Sequence, residues 1–235
     1  MCKAAELRTS ANNEVRDVNK KETQSTRELL LFTGGELFSE HGYDGVSTRA
    51  IAEAAGVNLG SIHYHFGSKE KLYMEAFTFA IAEKRCNGFL EVLEENPMLA
   101  ENPAGQAEII RTAVYRNFHE FFRPEKPRWE RQIIIREVTK PSTVAPILLE
   151  QVYIPDMDRT REFYKKIKPG AQDKEANAWM DMLHAQIIYY GALEDVLYLA
   201  RGERVTDVDF YREAARTVSR AMILQLDLPL PKDLQ

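Results

Sequence analysis

Cysteine is almost missing from this chain, with Cys2 and Cys86 as its whole complement in 235 residues. Two thiols supply neither a disulfide framework nor a zinc-ligand spacing, so both are read as reduced. Long apolar runs are missing as well. The opening MCKAAELRTSANNEVRDVNK holds no secretory core, and nothing later approaches the roughly 18 uninterrupted apolar residues of a membrane span. The expectation is a cytoplasmic protein with no membrane partner. Sustained period-two alternation is absent too, which disfavours a sheet and leaves an all-α fold. Nor does positive charge dominate: the net charge is −5, against a protein that coats nucleic acid by bulk field.

Catalytic constellations are equally scarce. There is no phosphate-cradling glycine loop, and no Ser or Cys has an identifiable base partner. His119-Glu120 begins like a zinc-protease helix, but the residue four after His119 is Arg123 rather than His. His63 and His65 lie two apart, roughly 200° around a helix, and cannot chelate one metal. The chain is expected not to be an enzyme, and neither cofactor nor metal is called for.

What is present is helical periodicity in a chain long enough to bury a substantial core. Residues 1–24 are polar, mixed in charge and aperiodic, and read as a disordered tail. A first helix is expected from about Ser25 to His41, with Leu30, Leu31, Gly34, Leu37 and Phe38 inward and Gly42 as its stop. Ser47 reads as the N-cap of a second helix to Ala55, burying Ile51 and Ala55, and Gly56 breaks it. A third helix covers about Leu59 to Phe66. A fourth, capped by Ser68, is expected to continue past Cys86 to Glu95. Further helices are expected at Gln106–Phe122, Trp129–Thr139, Thr143–Ile167 with an interruption at Pro155, Asp173–Ala200 and Val208–Asp227.

Helix, tight turn with glycine, helix is the pattern of a helix-turn-helix, whose second helix enters the DNA major groove. Gly56 suits a turn residue with positive φ, and Val57 is the apolar plug between the helices. With Ile62 set inward, a helical wheel turns Leu59, Phe66 and more obliquely His65 to the core, while Gly60, Ser61, His63 and Tyr64 face out. That outer face offers hydroxyls, an imidazole, an aromatic ring and a glycine over which a backbone can approach. Thr48 and Arg49 would meet phosphate or guanine at the start of the second helix, and Lys69 is placed for another phosphate. Between residues 47 and 71, Arg49, Lys69 and Lys71 stand against Glu53 and Glu70, a small positive face on an acidic body.

The run STRAIAEAAGVNLGSIHYHFGSKEKLY, residues 47 to 73, resembles the DNA-binding domain of TetR-type transcriptional regulators, and the likeness reaches back through LFTGGELFSEHGYDGVS to cover about residues 25 to 85. The resemblance implies operator contacts at Thr48, Arg49, Asn58, Leu59, Gly60, Ser61, His63, Tyr64, His65 and Lys69. Two departures stand out. His63 replaces a frequent Tyr, so an imidazole that titrates near neutral pH would take the phosphate bond. Gly34-Gly35 replaces a small Ala pair, at about 1 kcal/mol of helix propensity per Gly. The organisation that follows is a helix-turn-helix unit at 25–71, with its motif at about 47–66, a larger helical effector-binding and dimerisation unit at 72–228, and a tail at 229–235.

One short reading helix per chain spans too little DNA to be selective, so a homodimer on a near-palindromic double-stranded operator is expected. Apolar residues surround most of Asp173–Ala200, and a stripe runs along the last helix; pairing these with their symmetry mates would make a four-helix bundle through Leu183, Ile187, Tyr190, Tyr211, Ala214, Val218 and Met222. The bland alternative is that these stripes serve only the chain's own core. Residues 133 to 167, IIIREVTKPSTVAPILLEQVYIPDMDRTREFYKKI, are similar to the CecR-like subgroup. This implies a repressor controlling a transporter or another small-molecule resistance function. The family's effector pocket lies among the central helices, where Phe118, Phe121, Phe122, Arg136, Glu137, Met180, His184 and Tyr189 are candidate contacts for a small molecule of unknown identity. The competing expectation is a helical scaffold whose helix-turn-helix contacts protein.

Overall fold

The computed structural model describes residues 26–82 and 88–235, and among them every regular element is helical. The expectations for residues 1–24, Cys2 and Cys86 lie outside the described residues. The chain divides into two compact units, one ending at Thr78 and the other running from Phe79 to Gln235.

In the first unit, α1 spans residues 26–45. Its Gly42 takes φ +75°, so the right-handed path ends at the expected stop and residues 43–45 add a turn. Next come α2 (Thr48–Ala54), α3 (Gly60–Phe66) and α4 (Lys69–Ala82). Leu30, Phe38, Ile51, Ile62 and Leu72 are essentially sealed from solvent and form the centre of this unit. A Cβ on Gly34 would stand 3.3 Å from Leu72 Cδ2, so the first glycine of the unusual pair gives α1 a close approach to α4. Arg27 lies 5.0 Å over the Phe66 ring and pairs with Glu75, clasping α1, α3 and α4.

The second unit is built around α6 (Pro103–Phe122), which packs most extensively on α12 (Val208–Gln225) and also on α5 (Gly88–Glu95). Asn102 caps α6 by accepting from the Gly105 N–H at 2.8 Å, after a 3-10 turn at Pro97–Glu101. The remaining helices are α7 (Arg128–Thr139), α8 (Ala145–Leu148), α9 (Ile154–Ile167), α10 (Asp173–Ala192) and α11 (Glu194–Arg201). Buried Trp179 donates its indole N–H to the Met222 carbonyl at 2.9 Å, tying α10 to α12.

Several expected boundaries move. The interruption expected at Pro155 takes the form of a π-helical turn at Leu149–Tyr153 just before it, where proline has no N–H for the carbonyl of residue 151 and its ring crowds that carbonyl. Asp173–Ala200 is two helices rather than one, broken at Leu193 with φ −111° and ψ 17°. The segment from Lys69 to Glu95 is described as α4 and α5, with residues 83–87 outside the description. Residues 229–235 are no loose tail: Leu234 is fully buried, and Arg111 reaches Asp233 at 3.2 Å.

Candidate nucleic-acid interface and ligand site

The turn between α2 and α3 is fixed by local chemistry. Ser47 Oγ accepts from the Ala50 N–H at 3.0 Å and starts α2. At its other end Gly56 N–H donates to the Glu53 carbonyl (3.2 Å) and Val57 N–H to the Ala52 carbonyl (3.0 Å). This pair of bonds is a Schellman closure, and it needs the left-handed φ of +64° that Gly56 supplies. Asn58 Oδ1 then accepts from the Gly60 N–H at 3.0 Å, an Asx turn that leads the chain into α3. The helix has seven residues, and Ile62 and Phe66 are the two it buries.

The opposite side of α3 is open. Tyr64 is 78% exposed, Gly60 and His63 are exposed, and Ser61 and His65 are half-buried. Leu59 corrects the wheel: expected inward, it is 51% exposed and joins the outer face as an apolar contact. Its backbone is already helical (φ −52°, ψ −37°), but at this end of α3 the core does not reach far enough to cover it. On α2, Thr48 is half-buried and Arg49 is exposed, held only by a surface pair to Glu53 at 2.8 Å. Such a pair contributes at most about 1 kcal/mol, so a phosphate can compete for the guanidinium.

Lys69 departs furthest from its expected role. Its Nζ donates to the Tyr43 (2.7 Å) and Val46 (2.8 Å) carbonyls and lies 4.1 Å over the Tyr43 ring. Burial lowers its pKa, against the pull of Asp44. Two of its three donors therefore close the end of α1 instead of reaching outward.

In the second unit the expected effector residues do not gather at one place. Phe118, Phe121 and Phe122 are buried core, with Phe121 and Phe122 rings 5.0 Å apart. Tyr190 lies 6.4 Å from both Phe118 and Phe122. Glu137 is buried and accepts from the Ser142 N–H and hydroxyl, each at 2.9 Å, so it clasps the loop after α7 and gives the Arg-Glu…Pro-Ser spacing a structural cause. Arg136 is half-buried on the same helix, and Tyr189 is 43% exposed and lines no interior. Met180 is buried in the core. His184 is half-buried as a residue, yet its Nδ1 is sealed from solvent without a partner, and its ring lies 5.7 Å from Tyr153. Desolvation pushes its pKa down, with Asp181 opposing.

The dimer expectation is also corrected in detail. Leu183, Ile187, Tyr211, Val218 and Met222 are all buried within the chain's own core, while Tyr190 and Ala214 pack against that core half-buried. Helix α10 carries more apolar surface than one face can hold, and these residues belong to the inner side. The sequence reading also missed Thr160 and Asn177, whose Oγ1 and Oδ1 are buried without partners. Their signal is a polar residue at a seam position where helical spacing calls for an apolar one. Leaving such an atom unsatisfied costs about 1–3 kcal/mol.

Comparisons with known proteins agree with this geometry. Residues 30–76 match the family model for the N-terminal domain of bacterial regulatory proteins of the tetR family. The HTH-type transcriptional repressor AcnR of Corynebacterium glutamicum is 37% identical over 75 residues, 32% of this chain and 37% of that protein. The HTH-type transcriptional regulator AcrR of Shigella flexneri is 43% identical over 56 residues, 24% of this chain and 26% of its own. The chain thus matches between about a quarter and two fifths of the length of these curated relatives. Those relatives are named as repressors and regulators, not as enzymes. Beyond the N-terminal part the likeness is one of fold: the TetR family regulator PfmR from Thermus thermophilus aligns with a TM-score of 0.56 at 17% identity, covering 83% of this chain and 97% of that one. Residues 30–76, which take in most of α1 and all of α2 and α3, are thus the part of this chain that is similar to bacterial regulatory proteins of the tetR family.

Proposed function

We propose that the protein is a sequence-specific DNA-binding transcriptional regulator: a cytoplasmic repressor that leaves its operator when a small molecule binds the helical unit. The observation that carries this reading is the outer face of α3, where Leu59, His63 and Tyr64 stand exposed on a helix anchored from behind by Ile62 and Phe66. A single aromatic ring, an imidazole and an apolar tip suit base edges and thymine methyls, and Gly60 lets the backbone come close. Arg49 supplies the charge. The match of residues 30–76 to the tetR family and the naming of its relatives as repressors support the same conclusion.

Seven helical residues read few base pairs, so two copies on a near-palindrome are needed for selectivity. The surface for this homodimer is the outer side of α10 and α11. Ala185, Tyr189 and Ala192 are exposed on α10 at spacings of four and three, the pattern of a helix-pairing seam, and Val196 and Leu199 are exposed on α11, beyond the break at Leu193. Leu199 is 85% exposed. A ligand acts by favouring a conformation that fits DNA less well, and full reversal from 99:1 to 1:99 needs about 5.5 kcal/mol of differential affinity. The finer reading, control of a transporter or another resistance function, rests on the likeness of residues 133–167 to the CecR-like subgroup.

Gel-shift assays with fragments from the gene's own neighbourhood test this reading. Tyr64→Ala and His63→Ala are each expected to weaken the specific complex about tenfold or more, within the 1–3 kcal/mol of a base contact, while the dimer persists. Absence of any sequence-selective complex at low salt overturns it. Lys69→Ala is unsuitable for the purpose, because it unties α1.

A further inference from the structure

Helices α9 and α10 form an antiparallel hairpin whose register is pinned at both ends. Tyr153 meets His184 at one end, and Lys165 pairs with Asp173 at the other. Between these anchors the register sets Met157 level with Met180 and Thr160 level with Asn177. These are the seam positions, recurring at three and four residues. An ordinary hairpin fills such positions with leucine. Here Thr160 is 1% exposed and its hydroxyl has no partner; Asn177 Oδ1 and His184 Nδ1 are sealed and unpartnered as well. A hydroxyl and an acceptor oxygen at one level, not bonded to each other, leave their hydrogen bonds to a third group. A π-helical turn ends at Tyr153, at the open end of the seam, and such turns recur at functional sites.

We propose that this seam binds an uncharged, hydroxyl-bearing aromatic molecule, its hydroxyl seated between Thr160 and Asn177. One hydroxyl can donate to Asn177 Oδ1 while accepting from Thr160 Oγ1, which satisfies both atoms at once. The two thioethers at the next level suit the edge and face of a ring, and Tyr164 and Trp179, with ring centroids 5.5 Å apart, extend the aromatic wall. His184 Nδ1 stands two turns further along, roughly 10 Å by helical rise, where a second polar group of the ligand would end. Charge is disfavoured for a separate reason. Asn177 presents an acceptor oxygen that would repel a carboxylate at this level, and Arg161, whose Nε is also sealed without a partner, already carries the charge of Asp158 on Nη1 at 3.1 Å. This inference names the chemistry of the effector in the regulator reading and rests on that reading for its biological meaning.

Calorimetry on the full chain with 4,4′-biphenol tests it directly. Saturable binding is expected, with biphenyl-4,4′-dicarboxylate failing to compete. Thr160→Val and Asn177→Leu, which replace the unpartnered atoms with apolar ones of similar size, are each expected to weaken 4,4′-biphenol about tenfold and to leave the melting temperature unchanged or raised. No saturable heat with 4,4′-biphenol, equal binding of the dicarboxylate, unchanged affinity in both variants, or melting temperatures that fall in step with affinity would each overturn the seam as a ligand site. A gel shift run beside it separates the two readings: loss of any selective DNA complex sinks the regulator reading alone, whereas an intact complex without 4,4′-biphenol binding sinks only the seam.

Discussion

Lys69 and His184 show two fates of an ionisable side chain taken partly out of water. Lys69 compensates its desolvation with two carbonyls and a ring face, so its charge holds the end of α1 in place. Lys69→Met is expected to lower stability by about 1–2 kcal/mol in urea denaturation, the range for losing charge-assisted bonds at a half-buried site. Nothing in the one-dimensional pattern distinguishes a lysine that faces phosphate from one that turns back onto a preceding helix; the deciding carbonyls are 26 and 23 residues away. His184 has no such compensation. Burial holds it neutral, with Asp181 the opposing influence and the Tyr153 ring beside it. Its folded pKa is below the ordinary value of 6.5, so the unfolded chain binds its proton first. Stability is therefore fully present above pH 6.5 and falls as pH drops below it towards the folded value. Urea midpoints at pH 7.5, 6.5 and 5.5 are expected to decline for the wild type, and to decline less for His184→Gln.

At the level of elements, two features of the second unit set its tolerance. A Cβ on Gly105 would stand 2.7 Å from Leu99 Cα and closer still to the Leu99 carbonyl, so the first turn of α6 has no room for a side chain. Gly105→Ala is expected to cost about 1–3 kcal/mol or more, as overpacking against backbone does, and thermal melts measure it. The second feature is charged. Lys126 is buried, donates to the Ala80 carbonyl at 2.5 Å and lies 3.5 Å from Glu130, which is 1% exposed; Phe79 stacks on Trp129 beside them with centroids 6.2 Å apart. The end of α4 is thereby held by α7. Lys126→Ala is expected to destabilise by about 3–5 kcal/mol, because it leaves a buried carboxylate with its cation removed. The helices themselves are legible in the sequence because periodicity, caps and glycines act locally: Gly42, Ser47 and Gly56 punctuate the first unit where expected. The π-helical turn at Leu149–Tyr153 and the break at Leu193 lie two residues from Pro155 and Gly191, so the sequence marks their neighbourhood without fixing the residue at which the ladder changes. The outer face of α3 was legible for the same local reason. The buried ion pairs and the seam of α9 and α10 were not, because they join residues that only the fold makes neighbours.

For the whole molecule, the division of apolar residues between inside and outside selects the surface of the proposed dimer. Helix α10 is apolar nearly all round, and sequence alone assigns neither face. Burial does: Leu183 is 1% exposed and Ile187 8%, while Tyr189 is 43% exposed, and the outer stripe continues through Val196 at 56% to Leu199 at 85%. In the proposed dimer, a charge on the outer stripe would meet its own copy across a two-fold axis, where like charges are brought together and desolvated, yet it would remain in water in the single chain. Leu199→Glu and Val196→Glu are therefore expected to convert the dimer to a folded monomer with an unchanged helical spectrum, as read by light scattering after size exclusion and by circular dichroism. Leu183→Ala removes core volume and is expected to cost about 2–5 kcal/mol without selectively dissociating the dimer. The monomeric variants should also lose most of their operator affinity while keeping the weak binding of one reading helix, because two linked half-sites multiply affinity through effective concentration. A Leu199→Glu protein that stays dimeric and binds operator as the wild type does would move the dimer surface elsewhere on the molecule.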